Sequence, residues 1–229
     1  MSMNYQDASL VVNLSSAIKH GSIYNRDNAA DSEVIAARHA WLEPLDIRVD
    51  HTIRLAVNYE KDDFCQYVQV GEGERGRGML QNDAVIADAL VATASGVALF
   101  LPVSDCIAAV FYDKKRGVLM LSHLGRHSLE QQGAATSVRY LAEYFGSNPV
   151  GIQVWTSPAI DKERYPIFKL NGQGMKEAFF EQLAAAGILS SNIHDDPRST
   201  ADSDDLYSYS ETLRGDTHIG SHGVVAMMR

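Results

Sequence analysis

Residues 104–125 read SDCIAAVFYDKKRGVLMLSHLG, two apolar runs on either side of a charged turn. The runs 107–113 and 117–123 are rich in β-branched, aromatic and leucine side chains, and each is bounded by polar or glycine residues, the pattern of a β-hairpin. Both runs are apolar on both faces, so the hairpin is expected near the middle of a covered sheet. A four-residue loop, Asp113–Arg116, built around a type I turn pairs residue 112 with 117 and sets Cys106 directly opposite His123. Side chains opposed in this way have Cβ atoms about 4.5–5.5 Å apart. A different loop length sets the two diagonally, but the period of two keeps them on one face.

A thiol and an imidazole within reach of each other carry two chemistries. Zinc takes cysteine sulfur and histidine nitrogen, and a site with an open coordination position suits catalysis. A neighbouring imidazole also deprotonates a thiol and makes it a nucleophile. The plainer alternative is a small buried hydrophobe beside a satisfied polar residue at a strand end.

The frame around this hairpin is an ordinary globular one. A chain of 229 residues, 45% hydrophobic and 21% charged, fits one domain over 1–229 with a substantial core. A formal charge of −9 argues against nucleic acid, whose partners carry a basic stripe. Two cysteines 41 positions apart form neither a disulfide framework nor a paired CxxC zinc knuckle. The opening MSMNYQDASLVVNLSS shows no leader, and no run reaches the length of a membrane span, so no membrane contact and a cytoplasmic setting with reduced thiols are expected.

Outward from the hairpin, the chain mixes helices and strands. Asp31-Ser32-Glu33 opens a helix, with Ser32 as N-cap and Pro44 as its end. HTIRLAVNY (51–59), FCQYVQV (64–70), VALFLPV and IQVWTSPAI suit strands, whereas NDAVIADALVATASG suits a helix or a strand. GEGERGRG (71–78) lacks the P-loop pattern and carries two glutamates, which favours a mobile surface loop over a phosphate clamp. Residues 128–146 suit a helix with Ser128 as N-cap, Gln131 in a capping box and Gly146 as its stop; another spans about 174–186 and ends at Gly187. An acidic, turn-rich segment then precedes a terminal strand, GVVAMMR. A single mixed α/β or α+β domain follows.

At this point a resemblance becomes visible. DALVATASGVALFLPVSDCIAAVFYD followed by HLG resembles the central motif of the multicopper-oxidase-like laccase domain family, also called the YfiH-type or purine nucleoside phosphorylase family: DAxxT, Gly, a strand, ADC, a strand ending in Asp, then HAGWRG. Asp88-Ala89, Thr93, Gly96, Asp105-Cys106, Asp113, His123 and Gly125 sit in register. SIYNRDNAADSEVIAARHAWLEPLDI, TSPAIDKERY and RSTADSDDLYSYS resemble outer segments of the same family, and the stretch after Tyr165 is shorter than the family pattern.

The resemblance implies an α+β fold, an α/β sandwich of mixed β-sheets with flanking helices. It implies a zinc or copper site built from one His, the Cys of ADC and the His of HAGWRG, and the processing of a small-molecule substrate, a purine nucleoside, by phosphorolysis or adenosine deamination. Carried over residue by residue, Cys106 and His123 remain as metal and catalytic residues. The family's first His falls on Asp63, a carboxylate able to bind zinc. Cys65, on the same strand face, is a rival. Arg126, His127 and Ser157 are expected to bind substrate.

The departures are specific. HAGWRG reads HLGRHS, CT reads Ser199-Thr200, and SYRR reads SYSE. Loss of three arginines weakens a phosphate site, because arginine supplies bidentate donors; Arg126, Arg214 and His127 are the residues left to compensate. Three readings therefore stand: a metal-dependent nucleoside enzyme, a Cys-His amide hydrolase or deamidase on the same fold, and a diverged non-catalytic binding protein. His218 and His222 suit a solvated loop rather than the site. His20, His39, His51 and His194 suit surface or packing positions, Trp41 and Trp155 the core, and Asp202, Asp204 and Asp205 a solvated acidic loop.

Overall fold

The computed structural model describes residues 3–28, 30–216 and 218–229. Two short strands, β1 (Tyr5–Gln6) and β2 (Leu10–Leu14), precede a single helical turn, α1 (Ala17–His20), and a longer helix, α2 (Ser32–Leu42). Then come β3 (Thr52–Ala56), β4 (Tyr67–Val70), β5 (Val85–Ile86), β6 (Ala89–Ala92) and β7 (Ala98–Val103). The hairpin is β8 (Ile107–Asp113) and β9 (Val118–Leu124), which runs into α3 (Arg126–Glu130) and α4 (Gly133–Phe145). The rest is β10 (Gln153–Thr156), α5 (Met175–Ala185), β11 (Ile193–Asp195), α6 (Tyr209–Leu213) and β12 (His222–Met228).

Among the described residues the strands form two six-stranded sheets, in the orders β1-β2-β12-β7-β3-β5 and β11-β10-β8-β9-β6-β4. Both are mixed. β3 runs parallel to β7 and β5, and β4 parallel to β6, while β12 and the β8–β9 hairpin pair antiparallel. Alternation along each strand sorts the side chains into layers. Ala108, Val110, Leu119 and Leu121 meet Leu99, Leu101 and Val224 between the sheets. Ile107, Ala109, Phe111 and Met120 pack on Leu129, Val138 and Phe179 of α3, α4 and α5. On the far side, Phe100 and Val225 pack on Trp41 and Leu42 of α2. Helix, sheet, sheet and helices are thus stacked as an α/β sandwich, with β8 and β9 in the middle of their sheet.

The hairpin register differs from the expected one. Asp113 pairs with Val118 and Ala108 with His123, so the loop is 114–117. The Asp113 carboxylate accepts hydrogen bonds from the Lys115 and Arg116 amides, and Gly117 takes the left-handed conformation at φ 63°. Aspartate thereby stays in the ladder and caps the turn with its side chain, and glycine, the residue that tolerates positive φ, closes it.

Other local expectations are also corrected. Asp31, not Ser32, is the N-cap of α2, accepting from the Glu33 amide. The helix expected over 128–146 is broken at Gln132, which sits at φ 62°, into α3 and α4; Gly146 does end α4. Ser128 is no cap: it lies inside α3, buried, and donates to the Gly125 carbonyl at 3.1 Å. The ambiguous segment before β7 is strand. The glycine-rich loop is strapped along β3 by Gly76 N donating to Thr52 O and Arg54 N to Arg77 O. His222 is not in a solvated loop but fully buried on β12. Trp41 and Trp155 are core, as expected. Among the described residues, no helix is long and apolar enough to cross a membrane.

Candidate functional site

Cys106 precedes β8 and His123 lies near the end of β9, so the two meet at one end of the sandwich. With Ala108 opposite His123, Cys106 sits one pleat period along, diagonal to the histidine but on the same face. Gly125 completes the corner. A Cβ there would stand 2.8 Å from the Cys106 sulfur, 3.0 Å from His123 Cε1 and 3.5 Å from His123 Nε2. Sulfur and imidazole therefore converge on the space that a side chain at 125 would fill. Cys106 is half-buried and His123 retains 7% of its surface, so the pair is recessed but reachable.

The backbone around the pair is pinned. His123 N donates to Asp88 O at 2.8 Å, and Ile160 N donates to Asp105 O at 3.0 Å. The buried Asp105 carboxylate accepts from Thr200 Oγ1 and from Ser210 N, both at 2.7 Å, which ties the C-terminal segment to the start of β8.

Electrostatics keep both groups neutral. Burial, reinforced by the Asp105 carboxylate and opposed by Arg126, pushes the Cys106 thiol up to about 12. Burial, with the charges of Lys61 and His127, holds His123 down to about 4. A cysteine nucleophile needs the opposite direction, a thiol made acidic by a positive or polar surround. Burial thus works against the thiolate–imidazolium pair that the amide hydrolase reading requires.

One wall of the site comes from residues 59–66. Lys61 Nζ makes an ion pair of 2.7 Å with Asp88 Oδ2, which also accepts from Gln66 N at 2.8 Å. The Lys61 ammonium lies 5.5 Å from the centre of the Phe64 ring, and Phe64 stacks on His127 with centroids 4.7 Å apart and planes 17° apart. Tyr59 stands edge-on to His123 at 6.2 Å. Desolvation and the neighbouring Cys106 thiol hold its phenol above the usual tyrosine range. Gln131 clamps this wall to α3: its side chain accepts from Phe64 N and donates to Asp62 O. That is its role, in place of the expected capping box.

The residues singled out in the sequence are not all brought together. Cys106 and His123 are. Arg126 and His127 stand beside them on the first turn of α3, Arg126 exposed and its guanidinium 3.2 Å from His127 Nε2. Asp63 does not join them: it is exposed and its carboxylate accepts from Cys65 N at 2.9 Å. The Cys65 sulfur lies toward Gln131 O instead. Ser157, expected to touch substrate, is fully buried; its hydroxyl accepts from Ala108 N and donates to Pro158 O, each at 2.9 Å. It ties β8 to the end of β10 and has no hydrogen left for a ligand. Arg214 donates to Glu211 and to Arg164 O.

Among the described residues, no three His, Cys, Asp or Glu side chains form a metal-ligand set. Zinc and copper catalytic centres ask for a third protein donor. Cys106 and His123 supply two, and Asp63, held by the Cys65 amide, does not join them, so the residues as placed do not fit the expected metal centre. Lys61, Tyr59, Phe64 and Gln131 were missed in the sequence. The signal for Lys61 was its place two residues before Asp63, on which the family's first His falls, whereas Asp88 was already visible in its motif.

A family model described as multi-copper polyphenol oxidoreductase laccase matches residues 24–180. A curated relative, a purine nucleoside phosphorylase of Corynebacterium glutamicum, is 27% identical over 142 residues, 53% of this chain and 56% of that protein. The match thus spans about half the length of that relative. Among solved structures, YlmD of Geobacillus stearothermophilus superposes with a TM-score of 0.83 at 20% identity, covering 100% of both chains. The hypothetical protein YfiH of Bacillus licheniformis gives 0.82 at 20% identity, covering 96% of this chain and 93% of that one. NMB0706 of Neisseria meningitidis gives 0.71 at 15% identity, covering 100% and 98%. These likenesses establish the fold. With more than half of its length matched, the chain belongs to the multi-copper polyphenol oxidoreductase laccase family.

Proposed function

We propose that this protein acts on a purine nucleoside at the Cys106–His123 corner, cleaving it by phosphorolysis. The observation that carries the reading is the recessed, uncharged imidazole of His123 beside Cys106, bordered by flat aromatic faces and by cationic side chains. The exposed ring of Tyr59 and the half-buried ring of His127, backed by Phe64, offer surfaces for a purine ring. Lys61 and Arg126 offer N–H donors for phosphate oxygens. The activity named for the Corynebacterium relative supports the same substrate class.

In phosphorolysis a phosphate oxygen forms a bond to C1′ of the ribose, the C1′–N9 bond breaks, and the purine leaves with the proton that the phosphate gives up. A neutral imidazole both accepts and returns a proton, so His123 carries it between the two. Tyr59, kept protonated, is a hydrogen-bond donor toward the departing base. Zinc or copper dependence has the family description and two donors in its favour and lacks the third donor, so no step is written through a metal. The two unpaired thiols agree with a cytoplasmic setting.

The test is a panel of adenosine, inosine and guanosine with and without phosphate, read as free base and ribose 1-phosphate, with ammonia measured in parallel. Phosphate-dependent base release that His123→Ala abolishes is the expected result. Ammonia without base release shifts the reaction to deamination. No turnover of any nucleoside sinks the reading and leaves a binding protein.

A further inference from the structure

Two donors of a zinc-type site meet at Gly125, and in the segment expected to carry the third, Asp63 is held by the Cys65 amide while Lys61 reaches Asp88. Lys61 is largely buried, with 13% of its side chain exposed, and Asp88 opposite it with 2%. The pair is built into the scaffold of the site. Asp88 accepts from Lys61 Nζ and Gln66 N through its carboxylate, and from His123 N through its backbone carbonyl. Besides Asp88, the Lys61 ammonium faces the Phe64 ring, and Asp88 Oδ1, buried, has no hydrogen-bond partner among the described residues.

The other charges around the corner are of both signs, and the Asp105 carboxylate acts on the Cys106 thiol more strongly than Arg126 does. Arg126 is exposed at its rim, and its charge acts on the Cys106 thiol. The carboxylates are engaged: Asp105 by Thr200 and Ser210, Asp63 by the Cys65 amide, Asp88 by Lys61. A divalent ion placed on Cys106 and His123 would have the Lys61 ammonium and the Arg126 guanidinium for neighbours, and the buried carboxylate oxygen without a partner, Asp88 Oδ1, belongs to the carboxylate that Lys61 already neutralises. An anionic oxygen in that place would meet two cations.

We infer that Lys61, anchored by Asp88, is the resident cation of this centre: it keeps divalent metal ions off the Cys106–His123 pair and presents its ammonium to an anionic oxygen of the phosphate class. Metal exclusion goes beyond the proposed activity. The choice of phosphate rests on the phosphorolysis reading.

Zinc uptake and phosphate binding test this without any turnover, so failure here is distinct from failure in the nucleoside panel. Native protein, Asp63→His, and the double variant Lys61→Gln/Asp63→His are incubated with excess zinc, desalted and analysed for metal, with thermal melts confirming that each is folded. Native protein and Asp63→His are expected to retain almost none, and the double variant about one zinc per chain, since only it has three donors and no ammonium. Phosphate titrated into native protein is expected to bind, with affinity at least about tenfold weaker in Lys61→Gln and restored in Lys61→Arg. One zinc on the native chain overturns the inference, and so does equal zinc uptake by Asp63→His and the double variant. Phosphate binding that is absent, or unchanged in Lys61→Gln, overturns it as well.

Discussion

The Cys106 sulfur and the His123 ring border the space beside Gly125, where a methyl group would stand 2.8 Å from the sulfur and 3.0 Å from the ring. Gly125 is at φ −96°, a conformation open to any residue, so its lack of a side chain answers to space and not to backbone freedom. Gly125→Ala is therefore expected to displace the sulfur and the imidazole together. Overpacking of this kind costs about 1–3 kcal/mol. Nucleoside kcat/KM should fall by about a hundredfold or more, with a fall in Tm of a few degrees. Full activity in a normally folded variant would count against the corner as the reacting centre.

Tyr59 is 53% exposed yet stands edge-on to His123, so it has ring surface to give to a base. Tyr59→Ala is expected to raise KM for a purine nucleoside about 5- to 100-fold, the range for loss of one aromatic–base stack. Tyr59→Phe keeps the ring; it should leave KM near native and lower kcat if the phenol donates to the leaving base. Steady-state kinetics of the two variants separate stacking from hydrogen bonding.

Ser157→Ala is expected to act on stability and not on substrate. The hydroxyl closes two backbone hydrogen bonds in a fully buried position. Removing it leaves the Ala108 amide without its partner, at a cost of about 1–3 kcal/mol. Urea unfolding should show a lower midpoint while KM is unchanged. A raised KM with unchanged stability would return Ser157 to the substrate.

Acid should destabilise the fold above the range of ordinary carboxylates. His222 is fully buried: its Nδ1 accepts from Tyr207 N at 3.2 Å, while Nε2 has no partner among the described residues. Burial holds its pKa down to about 4, against about 6.5 in an unfolded chain. Between these values the unfolded chain binds more protons than the folded one, so stability rises with pH and is lost as pH falls from 6.5 through 4. The full span is worth about 3 kcal/mol, and His123, shifted the same way, adds a similar slope. Urea unfolding measured from pH 7 to 4.5 should show the decline, and His222→Asn should remove about half of it. An unchanged slope in the variant would assign the acid sensitivity elsewhere.

How much of this was legible in the residues divides along physical lines. The apolar runs around DKKRG marked the hairpin and its central place, and Gly146 and Gly187 marked helix ends, because these signals are carried by a few consecutive side chains. The break at Gln132 was not legible: Gln131 is drawn to Asp62 and Phe64, far away in sequence, and that contact overrides the helical pattern. The buried state of His222 was hidden for a similar reason, since β12 is covered on both sides by other parts of the chain.

The Cys106–His123 partnership was already determined by the sequence, because strand periodicity decides that the two side chains share a face, and the family was legible in the motif around Asp88, Cys106 and His123. Only the tertiary structure decided how they meet. The Asp113 cap and Gly117 set the hairpin register, and Gly125 leaves room for both groups. Tertiary structure also decided what stands beside them. Lys61 reaches Asp88, 27 positions away, while Asp63 turns outward to its own backbone. Periodicity fixes the side of a strand on which a residue lies; which charge faces which group depends on contacts between segments distant in the chain, and no local pattern records those.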